Sequence, residues 1–568
     1  MKIESNDRTV GQLLGTGYFK IPRFQRPYSW EKNEVEDFWT DTIVRSEPDY
    51  FIGSIVLFRY SDNLFGLVDG QQRLTTATMF LCYLRNLLSE NGYAEQAKGL
   101  HQLIERPDIN NKNQFVLQTE TSYPFLQEHI QKFNGPQQGL EGSEEEQRLK
   151  DAYEFIGSRL TETMTSTSND VSLSAEKKKE RIKEKLLEFR DRTLNLKLIV
   201  ITLQNEDDAY TIFETLNTRG KDLTVSDLVR THMTRLIPKS NLNVDRPKER
   251  FNKIIKGFEA SREDININSF LHHYWLSRYE YITEKNLYKA IKKRIHSKDD
   301  AESFLTSLES EANLYRIIHE PAARKWSLEQ RDLHDSLKAL SLFRVRQQIP
   351  FVLSVMGESH DRTISLKQSR RALSAVENFH FAFTAVTSQR SSGGISLMYA
   401  LHARELRSAK GTRNKGKVIN ELIQKLRDRR PGYREFEANF RDILCSEKYT
   451  KRKALVQYIL GRFANRFTRS VSIEWERMTV EHLANQSIRP GSSLKDEDVA
   501  RIGNLLLVSE ELNEDLKSKP FPEKMKILRG SNMYLDDYLS KQQNWGRKQI
   551  EERTDDLAKI AYNDIWAL

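Results

Sequence analysis

Between residues 51 and 88 the apolar pattern of the chain changes period. Residues 51–58 (FIGSIVLF) and 64–68 (LFGLV) are short, rich in β-branched and aromatic side chains and broken by turn residues, whereas residues 74–88 space their apolar members at helical intervals. A chain with this pattern has to build a strand–strand–helix unit whose junction is Asp69-Gly70-Gln71-Gln72-Arg73. A glycine at such a turn exposes backbone N–H groups at the positive end of a helix, which suits a phosphate, and Arg73 adds a bidentate donor. The glycine spacing is neither that of a Walker A loop nor G-x-G-x-x-G, so spacing alone fits an ordinary polar strand–helix turn equally well.

The same reading extends along the chain. Ser29 is placed to cap a helix carrying Val35, Phe38 and Trp39 at i, i+3 and i+4, and residues 194–203 read as a strand returning to the N-terminal sheet. Between them, residues 135–185 turn polar, and 139–146 and 161–170 read as mobile loops around helical insertions. Thr224 and Asp227 form a capping-box pattern opening a helix toward Ile237, stopped by Pro238. Residues 241–467 carry aromatic and leucine positions at helical spacing with no fixed repeat, which predicts a helical middle region. Residues 478–483 and 501–508 read as two short strands, with Asn513, Phe521 and Lys524 on a following helix and a closing helix over 545–566. The fold class expected is α+β, predominantly α-helical, in three regions: 1–237, 238–470 and 471–568.

Composition excludes several classes. At 568 residues the chain is long enough for two to four domains. With 30% charged residues, a mean hydropathy of −0.65 and no apolar run near the roughly 20 residues needed to span a bilayer, no membrane association is expected, and no secretory signal precedes the first motif. Two cysteines, Cys82 and Cys445, make neither a disulfide framework nor a zinc site and read as reduced core residues of a cytoplasmic protein. Residues 401–470 hold 19 Lys/Arg against 7 Asp/Glu, more than the whole-chain excess of +9. Such a segment suits a nucleic-acid backbone through counterion release. The candidates are Arg413, Lys415, Lys417, Lys451, Arg452 and Lys453, with Tyr433, Phe436, Phe440, Tyr449 and Tyr458 interleaved. A solvated helical face, or a dock for an acidic partner protein, fits the same charges. His272 and His273 sit among Phe270, Tyr274 and Trp275 and read as structural histidines.

Three separated blocks, residues 21–30 (IPRFQRPYSW), Asp69 to Arg73 and residues 213–223 (FETLNTRGKDL), resemble in order the N-terminal domain of the GmrSD-type, modification-dependent restriction endonucleases. The resemblance implies a ParB-like fold that binds and often hydrolyses nucleotide, GTP or ATP. It makes Gln25, Arg26, Tyr28, Asp69, Gln71, Gln72 and Arg73 the nucleotide-binding or DNA-sensing residues. Near the C-terminus, Glu481-His482, then Gly503-Asn504-Leu505, then Asn513 and Lys524 resemble the HNH nuclease domain that partners that module. This implies a ββα-metal centre. Phosphodiester hydrolysis needs a base for water and a cation for the charge on phosphate and leaving oxygen. His482 takes the role of base, Glu481 and Asn513 that of oxygen ligands to Mg²⁺ or Mn²⁺; Asn504 orients the histidine or braces its loop, and Lys524 contacts the scissile phosphate. One departure is Asn485, which stands where family members carry the proline of an EHxxP pattern. The function implied is an NTP-modulated, modification-sensing DNA endonuclease in defence, with DNA, nucleotide and a second copy or defence-system protein as partners. The alternative is a regulatory DNA- or NTP-binding module with a degenerate nuclease domain.

Overall fold

The computed structural model describes residues 3–23, 25, 27–44, 50–133, 144–170, 172–205, 224–238, 245–389, 393–467, 474–486, 494–531 and 533–568. It resolves into two compact units, residues 1–248 with 296–301, and residues 249–295 with 302–568. Helices predominate and the sheets are small, so the α+β, predominantly α-helical class holds.

The first unit is built on short strands: β1 (Ile3–Thr9), β2 (Tyr18–Ile21), β3 (Phe51–Arg59), β4 (Leu64–Asp69), β5 (Glu105–Pro107), β6 (Asn113–Phe115), β7 (Leu117–Thr119) and β8 (Lys197–Leu203). Six of them form one mixed sheet in the order β1-β8-β3-β4-β2-β7, while β5 and β6 pair separately. β3 and β4 make the expected antiparallel hairpin, and β8 returns to lie parallel to β3, with Val56 opposite Ile201. The Gln71–Glu90 helix follows β4 directly. Its side chains from Leu74 to Leu88 are buried on nearly every side, beneath the Glu144–Ser168 and Ala175–Asn195 helices.

Both covering helices explain where the pattern misled. Residues 161–168 are the end of the Glu144–Ser168 helix, not a loop. Leu149, Ala152, Ile156 and Leu160 give it a buried stripe at helical spacing. Its threonine-rich end stays helical because Thr163, Thr165 and Thr167 return their hydroxyls to the carbonyls of Arg159, Thr161 and Thr163. The Ala175–Asn195 helix buries Ile182, Leu186, Phe189 and Thr193 and is capped by Ser174. It runs through Leu194, so β8 starts at Lys197 rather than at residue 194. The Lys32–Trp39 helix is capped at Glu31, not Ser29, through a capping box with Glu34, while the Ser29 backbone N–H is donated to Gln72 Oε1. The Thr224 capping box and the helix end at Ile237 stand as read. The 213–223 block lies outside the described residues.

The second unit is layered helices that carry a small hairpin. The Ile349–His360 helix is buried from Ile349 to Glu358 and is flanked by the Leu366–His380 and Gly393–Ser408 helices. Thr412–Arg429, Tyr433–Arg441 and Lys453–Phe467 complete this helical layer. β9 (Thr479–His482) pairs antiparallel with β10 (Leu505–Val508), placing His482 opposite Leu505 and Glu481 opposite Leu506. The Glu510–Leu516 helix packs on β9, Phe521–Gly530 follows it, and the Arg547–Ile560 helix lies against the turn at 502–504. Asn513 and Lys524 therefore sit on two helices rather than one. Trp566 stacks on Phe381 with ring centroids 3.8 Å apart and donates to Tyr458 Oη, which binds Glu377. Cys82 and Cys445 are free and buried. Among the described residues no helix is long and apolar enough to cross a membrane.

Candidate functional site

The strand–strand–helix arrangement at β9 and β10 brings Glu481, His482, Asn504 and Lys524 together. Asn504 ends the turn before β10 and is fully buried; its Oδ1 accepts from the Ala484 N–H at 2.7 Å and Trp545 Nε1 at 2.9 Å. Its amide donates to the carbonyls of Ala484 (3.0 Å) and Val499 (2.8 Å). Every bonding position of the side chain is used, so Asn504 braces the loop after His482. Gly503 next to it has no room for a side chain, since a Cβ would meet Ile550 O and Thr554 Oγ1 at 2.2 Å. Arg553, itself buried, fastens the same turn by donating to the carbonyls of Gly503 and Leu505 while paired with Asp536 at 2.8 Å.

Lys524 is not a phosphate contact. Its side chain is 1% exposed, and its ammonium lies 2.6 Å from each of Glu481 Oε1, the His482 carbonyl and Asn485 Oδ1. A lysine has three protons to donate, and all three are spent inside the protein. The same interaction explains Asn485. Where the family pattern has a proline, Asn485 accepts from Lys524 and donates to the Ser518 carbonyl at 3.0 Å, so a hydrogen-bonded clamp shapes the turn.

His482 is buried, with Nε2 2.9 Å from the Cys445 carbonyl and Nδ1 3.3 Å from the Gln486 amide nitrogen. A carbonyl only accepts, so Nε2 carries the proton and Nδ1 presents the lone pair. Burial, and secondarily the Lys524 charge, hold the imidazole below the ordinary histidine range, although the Cys445 contact opposes them. Burial also pushes the Glu481 carboxyl up, with Lys524 pulling it back down. Cys445 O and Gln486 were not anticipated. A glutamine four residues after the histidine was the available signal for the second. Nothing in the sequence pointed to a carbonyl 37 residues upstream.

The donor set suits a hard cation. Asn513 Oδ1 is a buried acceptor with no hydrogen-bond partner among the described residues, on a helix packed against the strand that carries Glu481. Lys524 reaches Oε1 of Glu481. Glu481 and Asn513 are thus the residues that would hold Mg²⁺ or Mn²⁺, as an oxygen set without thiolate.

In the first unit Gly70 takes φ +88° as the N-cap of the Gln71–Glu90 helix, a conformation a side chain would strain; a Cβ there would also meet Ile55 at 2.8 Å. Asp69 and Arg73 are partly exposed and 4.0 Å apart, and Arg73 donates to the Ile52 carbonyl at 2.7 Å across Gly53. The other residues divide. Gln72 is committed to the backbone of Pro27 and Ser29. Tyr28 is core, its hydroxyl 2.8 Å from Thr76 Oγ1 and its N–H donated to Glu145. Gln71 and Gln72 line, with Thr75 and Thr119, a cavity with room for about one water, far too small for a nucleotide. Tyr28 and Gln72 are therefore scaffold. Gln25 is buried with neither amide atom partnered among the described residues. Arg26 lies outside them.

The basic segment divides too. Arg413, Lys417, Lys451 and Lys453 are exposed and Arg452 partly so. Lys415 is buried against Glu358, 3.1 Å from Thr363 Oγ1, and cannot reach a phosphate; burial lowers its ammonium below the ordinary lysine value. Phe436, Phe440 and Tyr458 are core rather than stacking platforms. His272 and His273 bind Ile282 O and Tyr315 Oη, as structural histidines do.

No curated protein matches the chain. The family described as GmrSD restriction endonuclease, N-terminal domain, matches residues 7–234, and GmrSD restriction endonucleases, C-terminal domain, matches residues 431–560. The two stretches span more than half of the chain and enclose the junction and the hairpin respectively. With a restriction-endonuclease domain at each end and the order of motifs kept, the chain belongs to the GmrSD restriction endonuclease family.

Proposed function

We propose that the protein is an NTP-modulated, modification-sensing DNA endonuclease acting against foreign DNA, with a ParB-like sensing module and an HNH-type centre at the β9–β10 hairpin. The observation that carries the reading is His482, whose proton is fixed on Nε2 by Cys445 O so that Nδ1 is left as a base. The Gln486 contact on Nδ1, at 3.3 Å, is long for a hydrogen bond and gives way to a water at little cost. Nδ1 then takes the proton of the water that attacks the phosphate. Glu481 and Asn513 would hold Mg²⁺ or Mn²⁺, which would supply charge stabilisation on the phosphate and leaving oxygen. In the sensing module, Asp69, Arg73 and the unpartnered Gln25 amide are the groups left to meet nucleotide or DNA.

His482→Ala is expected to slow Mg²⁺-dependent nicking of plasmid DNA by about 10²–10⁴-fold with folding retained. Undiminished nicking by the folded variant overturns the assignment. Arg73→Ala is expected to weaken GTP or ATP binding and leave metal-only nicking unchanged; unaltered binding and turnover reduce the junction to architecture. One observation favours a second reading. With Lys524 already neutralising Glu481, a degenerate centre in a regulatory DNA- or NTP-binding module follows if the wild-type protein binds DNA but does not nick it in Mg²⁺ or Mn²⁺.

A further inference from the structure

Away from the hairpin, His402 on the Gly393–Ser408 helix has unfinished bonding. Its side chain is 0% exposed, Nδ1 lies 2.7 Å from the Met398 carbonyl, and Nε2 is buried with no hydrogen-bond partner among the described residues. The carbonyl fixes the proton on Nδ1, so Nε2 presents an in-plane lone pair. An imidazole whose second N–H is held by a backbone carbonyl is prepared for metal ligation, and a buried acceptor left unsatisfied is otherwise destabilising. Two carboxylates lie near the imidazole. Glu405 follows one turn later on the same helix, and Glu421 comes from the Thr412–Arg429 helix packed against it. Ligand atoms of His402, Glu405 and Glu421 all lie within 4.8 Å of one another. A tetrahedron built on metal–ligand bonds of ~2.1 Å has edges of about 3.4 Å. The Glu421 side chain is exposed and free to turn through the remaining distance. Among the described residues neither carboxylate has an ion-pair partner.

We propose that His402, Glu405 and Glu421 bind one divalent transition-metal cation, Zn²⁺ or Mn²⁺, which clips the two helices together across the 409–411 turn. Imidazole nitrogen with two carboxylate oxygens suits these ions, with water completing the coordination. The turn is tight: Gly411 takes φ +78°, which brings the second helix back along the first. The site shares no residue with the hairpin centre and differs from it in offering a nitrogen ligand. Lys425, one turn beyond Glu421, places an opposing positive charge near the imidazole.

The test is equilibrium dialysis of the full chain against Zn²⁺ with metal counted per protein. Glu405→Gln/Glu421→Gln is expected to hold one equivalent fewer than wild type, to bind Zn²⁺ at this site more than about tenfold more weakly, and to lose the Zn²⁺-induced rise in melting temperature. Equal metal content in both proteins, at matching circular dichroism, overturns the proposal. A second arm does not depend on the ligands. Lys425→Met is expected to tighten Zn²⁺ binding roughly two- to fivefold, the range of an exposed charge pair, and unchanged affinity in that variant counts against the site.

Discussion

Lys524 carries a charge into a place where water cannot reach it, and only its partners make that tolerable. Removing one member of such a pair strands the other, at a cost of about 3–5 kcal/mol, whereas replacing both with neutral groups of similar volume is often close to neutral. Lys524→Met alone is therefore expected to lower unfolding free energy by about that amount, and Glu481→Gln in the same chain to restore most of it. Urea melts of the two single variants and the double variant check this, and additive losses would show that the two side chains do not act as a pair. The residue types of the hairpin were legible in the sequence: Glu481, His482, Asn504 and Lys524 do converge. Their roles were less so, because spacing reports which groups meet and not which bonds are already satisfied. Asn504 and Lys524 look catalytic by type and are saturated by local partners. His482 keeps one nitrogen able to act.

At the scale of elements, the exposed cations of the basic segment gather at a helix start. Lys451, Arg452 and Lys453 stand at the start of the Lys453–Phe467 helix, where the backbone dipole is already positive and cations are unfavourable unless an anion arrives. A phosphate backbone relieves that repulsion. Replacing Lys451 and Lys453 with alanine is expected to reduce the magnitude of the log–log salt slope of duplex DNA binding by about 0.9 for each phosphate no longer neutralised. Titrations at several salt concentrations with the same slope for both proteins would remove this helix end from the DNA surface. Element boundaries followed their signals unevenly. The Thr224 capping box and the β3–β4 hairpin were readable because caps and alternation are local. The Glu144–Ser168 helix was not, since its threonines favour loops until a buried stripe and back-bonded hydroxyls hold them.

For the molecule as a whole, acid should be the weak side. His273 and His380 are held down to about 3 and His319 to about 4, in each case first by burial; His273 also feels His272, His319 and Arg346, and His319 feels Arg346. A histidine whose folded value lies below its unfolded value near 6.5 binds its proton first in the unfolded chain. Stability from these three is complete above about pH 6.5 and declines below it, by up to about 1.4 kcal/mol per histidine per pH unit, until the folded values are reached. Calorimetric melts at pH 7.5 and 5.5 are expected to differ by several degrees, and a flat profile would contradict the burial. The two-unit division was not legible in the sequence, because long-range packing such as Trp566 on Phe381 leaves no local pattern. That packing bears on how such a gene can recombine. A crossover near residue 471 would bring together helices and a hairpin from different parents, separating Phe381 from Trp566, Arg430 from the Tyr562 and Trp566 carbonyls it binds, and Arg441 from Asp555. Inherited exchange should be tolerated when residues 302–568 travel as one block, so the C-terminal hairpin is expected to pass between lineages only with its own helical bed.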